Sequence, residues 1–280
     1  MKNRTTDMKK VNLMYFSPTA TTKTVVEAIG KRLVDTKGLQ RGLERGKTID
    51  FTLPKQRESA QNFQTKDILV IGVPVYAGRV PNVLLKYLNT IQGNNTLAIP
   101  IVLYGNRHYD DALIELNDIL QKNGFKVIAG AAFIGEHSFS YTLAKERPDN
   151  KDLTIAEEFA NKVYTKIQSN NHSTAKVNGN RPYRPYYMPK NEEDELVDIR
   201  RVVPKTNDTC IDCKICSEVC PMGSIPYNDV KAIVGICIKC GACIKRCPTQ
   251  SKYFDDTDYL RHKQELEEQF VERREPELFV

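Results

Sequence analysis

At 280 residues, 40% of them apolar, the chain has the length and core material for about two domains. No apolar run approaches the ~20 residues of a membrane span, and the polar start with its short apolar run at 11–16 makes no signal-peptide core, so a cytoplasmic, reducing setting is expected. The net charge of +6 is uneven, with 24 Lys/Arg against 17 Asp/Glu over residues 1–170 and 17 against 18 beyond. The positive residues are scattered among acids, which argues against nucleic acid. They point at most to an acidic protein partner or an anionic ligand, beside the plainer reading of a solvated surface.

Strand and helix patterns alternate up to about residue 170. Strands are predicted at 11–16, 48–53, 67–73, 97–104 and 125–134. Between them, helices are predicted at 21–35, from about Pro81, at 110–122 under a cap from Asp110 or Asp111, and at 152–168. This alternation is the signature of a parallel sheet covered on both faces, and five strands with these helices fit an α/β doubly wound, five-stranded parallel sheet of order 2-1-3-4-5. Ligands of such sheets sit beyond the carboxyl ends of the strands, at the switch point between strands one and three.

Three loops reach that edge. Strand one runs into Ser17-Pro18-Thr19-Ala20-Thr21-Thr22-Lys23, where hydroxyls and free amides meet a helix N-terminus suited to a terminal phosphate. No dinucleotide fingerprint or P-loop is present. A simple Ser/Thr helix cap is the plainer reading of the same residues. Strand three runs into Pro74-Val75-Tyr76-Ala77-Gly78-Arg79, and strand four into Gly105-Asn106-Arg107-His108-Tyr109-Asp110. Each loop sets a glycine beside an aromatic, a combination able to frame a planar ring. Together the three loops predict a site for FMN.

Residues 170–180 read as a flexible polar hinge. The following Arg181-Pro-Tyr-Arg-Pro-Tyr-Tyr-Met-Pro189 is expected to lie extended against a domain near the cofactor mouth, the alternative being a disordered spacer.

All eight cysteines then fall in two copies of one motif, Cys210-Ile-Asp-Cys213-Lys-Ile-Cys216-Ser-Glu-Val-Cys220-Pro and Cys237-Ile-Lys-Cys240-Gly-Ala-Cys243-Ile-Lys-Arg-Cys247-Pro. This is the bacterial two-cluster ferredoxin spacing, in which the fourth cysteine of each copy serves the other cluster. It assigns Cys210, Cys213, Cys216 and Cys247 to one [4Fe–4S] cluster, and Cys237, Cys240, Cys243 and Cys220 to the other. Zinc explains a third cysteine at the same step poorly, and a disulfide framework would need an oxidising compartment. Gly241-Ala242 should let the backbone pack tightly, while Lys214-Ile215 could shield a cluster edge. Residues 257–271 predict an amphipathic helix with Leu260, Leu266 and Phe270 inward, packing the two domains together.

On these motifs the chain resembles the flavodoxin-like plus ferredoxin-like fusion proteins of anaerobic bacteria. The likeness runs through Tyr15–Thr19, 72–81, 104–110, Phe133-Ile-Gly-Glu136-His137-Ser-Phe139 and the twin cysteine motifs. It implies an FMN domain over 1–170, a linker over 171–204, a ferredoxin module over 205–255 and a C-terminal helix and tail over 256–280. It also implies that Ser17, Thr19, Thr21 and Thr22 hold phosphate, whereas Ala20 replaces the family's glycine and Pro18 lacks an amide donor. His137 and His108 are candidates for proton donation, against a structural role for each. The expected function is relay of low-potential electrons between the clusters, FMN and a protein or small-molecule acceptor. Alternatives are a reductase fed by its own ferredoxin module, and a ferredoxin joined to a flavin-free scaffold.

Overall fold

The computed structural model describes residues 8–35 and 42–280. A seven-stranded sheet organises it: β1 (Lys9–Tyr15), β2 (Leu43–Asp50), β3 (Asp67–Pro74), β4 (Leu97–Tyr104), β5 (Lys126–Val127), β6 (Gly130–Ile134) and, far along the chain, β9 (Glu277–Phe279). The strand order is β2-β1-β3-β4-β6-β9, with β5 beside β4. Every pairing is parallel except β6 with β9. The order 2-1-3-4-5 therefore holds through β6, and the fold is flavodoxin-like.

Two departures enlarge the five-stranded expectation. The fifth strand is broken at Ile128-Ala129 into β5 and β6. The C-terminal tail adds the antiparallel edge strand β9, pairing Ala131 with Leu278. The second strand also starts earlier than residue 48, at Leu43.

Period-two alternation divides the core into two layers. Leu69, Ile71 and Val73 of β3 and Val102 of β4 face α2 (Asn82–Leu88) and α3 (Ala112–Lys122). Ile68 and Val70, with Ile99 and Ile101, face α1 (Thr21–Val34) and α4 (Asn150–Gln168). A reciprocal capping box opens α4: Asp149 accepts the Asp152 amide, and Asp152 accepts the Asp149 amide.

Asp111 does not cap α3, as the sequence had suggested; its side chain makes no cap bond there. Fully buried, its carboxylate accepts the backbone N–H of Asn180 at 2.9 Å and of Arg184 at 2.7 Å. The carboxylate thus pins the linker to α3. Replacing Asp111 by alanine is expected to release this segment at a cost of about 1–3 kcal/mol. Chymotrypsin should then cut faster at Tyr183, Tyr186 and Tyr187 while the far-ultraviolet circular dichroism stays native. Unchanged cleavage would reject the role.

The cysteine segment forms a small module: a ribbon of β7 (Lys205–Thr206) against β8 (Lys252–Tyr253), and two single-turn helices, α5 (Ile215–Glu218) and α6 (Ala242–Lys245). The duplication shows in the backbone. Lys214 and Gly241 precede α5 and α6 with φ of 65° and 75°. Helix α7 (Thr257–Gln269) buries Tyr259, His262 and Leu266, whereas Leu260 is exposed, contrary to expectation. The inward stripe contains a tyrosine and a histidine that the apolar pattern overlooked. Tyr259 lies between Phe139 of the loop after β6 and Phe254 of the module, with ring centroids 4.7 and 4.1 Å away. Among the described residues no helix is long and apolar enough to cross a membrane.

Candidate functional site

The loops after β1, β3, β4 and β6 gather on one edge of the sheet, and the cysteine module closes over them. Two adjoining cavities lie between. The smaller, about 50 Å³, is lined by Thr19, Thr21 and Thr22, by Pro74, Val75 and Tyr76, by Gly105 and by Cys240. The larger, about 460 Å³, is lined by Val75, Tyr76, Ala77, Gly78, Gly105, Arg107 and His108 on the sheet side. Opposite them stand Tyr186–Pro189 of the linker, Cys237 and Lys239 of the module, and His262 of α7. Tyr76 belongs to both walls, and burial pushes its phenol up, with the Cys240 and Cys237 sulfurs adding to the effect.

A specific observation makes the smaller cavity fit a phosphate. Thr22 Oγ1 is buried at the N-terminus of α1 with no hydrogen-bond partner, and a buried hydroxyl left unpaired is costly. A phosphate oxygen would satisfy it, at the end of the helix where the dipole favours negative charge. Ala20 adopts φ 71° at the turn into α1, the left-handed geometry that favours glycine.

The other sequence-derived candidates have partners elsewhere. Ser17 Oγ accepts the Lys23 amide at 2.9 Å and so caps α1. Arg79 pairs with the buried Glu115 at 2.7 Å and lies over the rings of Tyr183 and Tyr186. Asn106 donates to the carbonyls of Phe270 and Glu272, and Tyr109 donates to Glu277 at 2.6 Å; both hold the tail. Asp110 faces Arg107 and Arg184. Of the seventeen positions proposed from sequence, Ser17, Ala20, Arg79, Asn106, Tyr109 and Asp110 thus shape the walls from behind.

Both candidate histidines line the larger cavity, and both are locked by a local turn. His108 Nδ1 accepts the Asp110 amide at 2.8 Å, and His137 Nδ1 accepts the Phe139 amide at 3.1 Å. Each neutral ring therefore carries its proton on Nε2. Burial, reinforced by the Lys245 charge, pulls His137 down to about 3, so it is neutral near pH 7 and can only donate a hydrogen bond.

All eight cysteines are free thiols. Cys210, Cys213, Cys216 and Cys247 line one small cavity with Lys252. The remaining four also act on one another: Cys237, Cys240 and Cys220 all raise the Cys243 thiol, after the larger effect of burial. Two serines occupy matching places. The amide of Ser224 donates to Cys220 Sγ at 3.3 Å, and that of Ser251 to Cys247 Sγ at 3.2 Å, each four residues after its cysteine. The repeated Cys-Pro-x-x-Ser was the sequence signal for them. The two groups differ in setting. Cys213 is exposed beside the 65% exposed Ile211, while Cys237 and Cys240 face the two cavities.

Gly241 fixes that contact. A Cβ there would stand 2.5 Å from the Ser138 carbonyl oxygen, so only glycine permits the approach. Beside it, the Lys245 ammonium donates to the Glu136 carboxylate and, at 2.8 Å each, to the carbonyls of His137 and Ser140.

Comparison with known proteins bears first on the cysteines: residues 209–252 match the family described as 4Fe-4S dicluster domain. A flavodoxin-like sheet is thus joined to a segment similar to the 4Fe-4S dicluster domain family. Solved structures align with the sheet portion at low similarity. An archaeal flavodoxin matches at 14% identity over 57% of this chain and 99% of its own, with a TM-score of 0.39. Rubredoxin oxygen:oxidoreductase from Desulfovibrio gigas matches at 14% identity over 58% of this chain and 37% of its own, TM-score 0.41. A flavodoxin variant of Fusobacterium nucleatum bound to flavin mononucleotide matches at 16% identity over 57% and 97%, TM-score 0.37. No curated protein matches the chain.

Proposed function

We propose that this flavodoxin-like/dicluster chain is a cytoplasmic electron-transfer iron–sulfur flavoprotein, with residues 1–170 as the FMN unit and 205–255 as the cluster unit. Two [4Fe–4S] clusters and FMN, when bound, would pass low-potential electrons between an external carrier and a protein or small-molecule acceptor. One observation carries the reading: the cavities at the strand ends have Cys237 and Cys240 in their walls. Cofactor pocket and cysteine group are thus neighbours within one polypeptide, and no diffusional encounter is needed between them.

The residues divide the work. Thr19, Thr21 and Thr22 would hold the phosphate, and Tyr76, Gly105 and His108 would frame the ring. Cys237, Cys240, Cys243 and Cys220 would hold the inner cluster. Cys210, Cys213, Cys216 and Cys247 would hold the outer one, where the exposed Cys213 and Ile211 offer the approach to a redox partner protein. Tyr186–Pro189, with His262 and Leu266 of α7, form the cavity's far wall.

Anaerobically purified protein is expected to contain about eight iron and about one FMN per chain. Replacing Thr22 by valine should weaken FMN binding roughly tenfold, about 1.4 kcal/mol, without lowering the melting temperature of the flavin-free protein. Colourless protein, or iron without flavin, would defeat the proposal; the latter would leave a ferredoxin on a flavin-free scaffold.

The locked imidazoles favour a second reading, a reductase in which His108 Nε2–H donates to a small oxidised substrate in the larger cavity. Reoxidation of the reduced protein by that substrate, slowed in His108→Gln, would establish it. Equal rates in the variant would reject it.

A further inference from the structure

Two buried lysines stand against the cysteine groups; among the described residues neither forms a salt bridge, and Asp198, which is paired with Arg200, acts on Lys239 only from farther off. Lys252, 2% exposed, lines the cavity of Cys210, Cys213, Cys216 and Cys247, and its Nζ donates to the Val230 carbonyl. Val230 packs in one cluster with Cys216, and Cys210, Cys220 and Cys243 pack against it, so thiols of both groups surround the point where the Lys252 ammonium is anchored. Lys239, 7% exposed, sits in the larger cavity's wall. Its Nζ donates to the carbonyls of Arg200 and Cys237, at 3.0 and 3.1 Å. Among the described residues, these bonds to main-chain oxygens are the only ones found for either ammonium.

A buried cation without a counter-charge is costly and is tolerated where negative charge comes from elsewhere. Four thiolates around a [4Fe–4S] core supply it: the site carries a double negative charge that becomes triple when one electron is added. A nearby fixed positive charge therefore favours the reduced state.

We propose that Lys252 and Lys239 set the reduction potentials of the clusters, Lys252 acting on both from between them and Lys239 on the inner one alone. The proposal rests on the iron–sulfur reading above and goes beyond it, since it assigns the potential to side chains outside the ligand set. It also fixes a pattern. Loss of the Lys252 charge lowers two potentials, and loss of the Lys239 charge lowers one.

The test is a potentiometric titration, followed by electron paramagnetic resonance, of the full chain and its Lys252→Met and Lys239→Met variants. Lys166→Met serves as control. Lys166 is also buried, with its ammonium on the Ile128 carbonyl at 2.8 Å, but it lies on α4, remote from the cysteine module. Each affected cluster should show an about tenfold fall in its reduced-to-oxidised ratio at a fixed ambient potential, ~59 mV for a one-electron couple. The control should show none. Full iron content with unmoved potentials overturns this proposal alone. Absence of iron from the unmodified protein overturns the reading beneath it as well. If the methionine variants fail to retain iron, Lys252→Arg and Lys239→Arg decide. Iron restored by arginine supports the need for positive charge, and iron still lost assigns both residues to packing and overturns the proposal.

Discussion

Replacing Asp152 by alanine is expected to destabilise the protein by about 3–5 kcal/mol, the largest effect of any single substitution proposed. Asp152 is fully buried and holds the Arg147 guanidinium, itself 5% exposed, through both carboxylate oxygens. It also accepts the Asp149 amide and so closes the cap of α4. Arg147 in turn donates to the Arg274 carbonyl, which ties the tail to this point. Alanine would strand a buried guanidinium and open the helix cap at once. Urea unfolding followed by circular dichroism measures the loss. Asp149→Ala provides the contrast: its partner Arg273 is 36% exposed, so that ion pair is screened and contributes at most about 1 kcal/mol. The cap bond lost with it adds about 1 kcal/mol. Equal effects at the two positions would refute the assignment.

The second large effect is expected at Lys245, in communication between the two units. Lys245→Met removes an ammonium that bonds the Glu136 carboxylate and two carbonyls of the loop after β6. The loss should weaken docking by about 2–3 kcal/mol. Under the electron-transfer function proposed above, iron and flavin contents should stay unchanged while reduction of the flavin through the clusters slows at least tenfold. Hydrogen exchange should rise over residues 136–141 and 240–246. Unaltered exchange together with an unaltered rate would show that the module docks by other means.

Much of this architecture is legible in the chain. The apolar runs of β1, β3 and β4 are flanked by turn residues, and their alternation with helices marks a parallel sheet covered on both faces, which the order 2-1-3-4-5 fits. The twin cysteine motif is equally plain, because each side chain has a single chemistry and the spacing repeats. The parts that escaped are those in which tertiary context outweighs local pattern. Phe125 to Ile134 reads as one continuous apolar stretch, and only pairing with β4 reveals the break at Ile128-Ala129. Three residues at 277–279 are too few to register as a strand until β6 supplies a partner. Asp111 looks like an ordinary helix cap, because nothing local says that its carboxylate will meet the amides of Asn180 and Arg184. Arg79, Asn106 and Tyr109 sit in the right loops and turn away to Glu115, the tail and Glu277, choices made by groups distant in sequence. Nothing in the local pattern marks His262 and Lys252 as interior, yet both are buried.

The edge strand β9 has a consequence for biosynthesis. It follows the cysteines in the chain, so translation must pass through the entire module before β6 can acquire its outer neighbour. A nascent sheet would keep that flank unzipped while the cysteines emerge. Fastening of the tail would come afterwards, burying a row of backbone groups that would otherwise invite aggregation. The tail is in this sense a clasp that closes only once the cysteine module has been made.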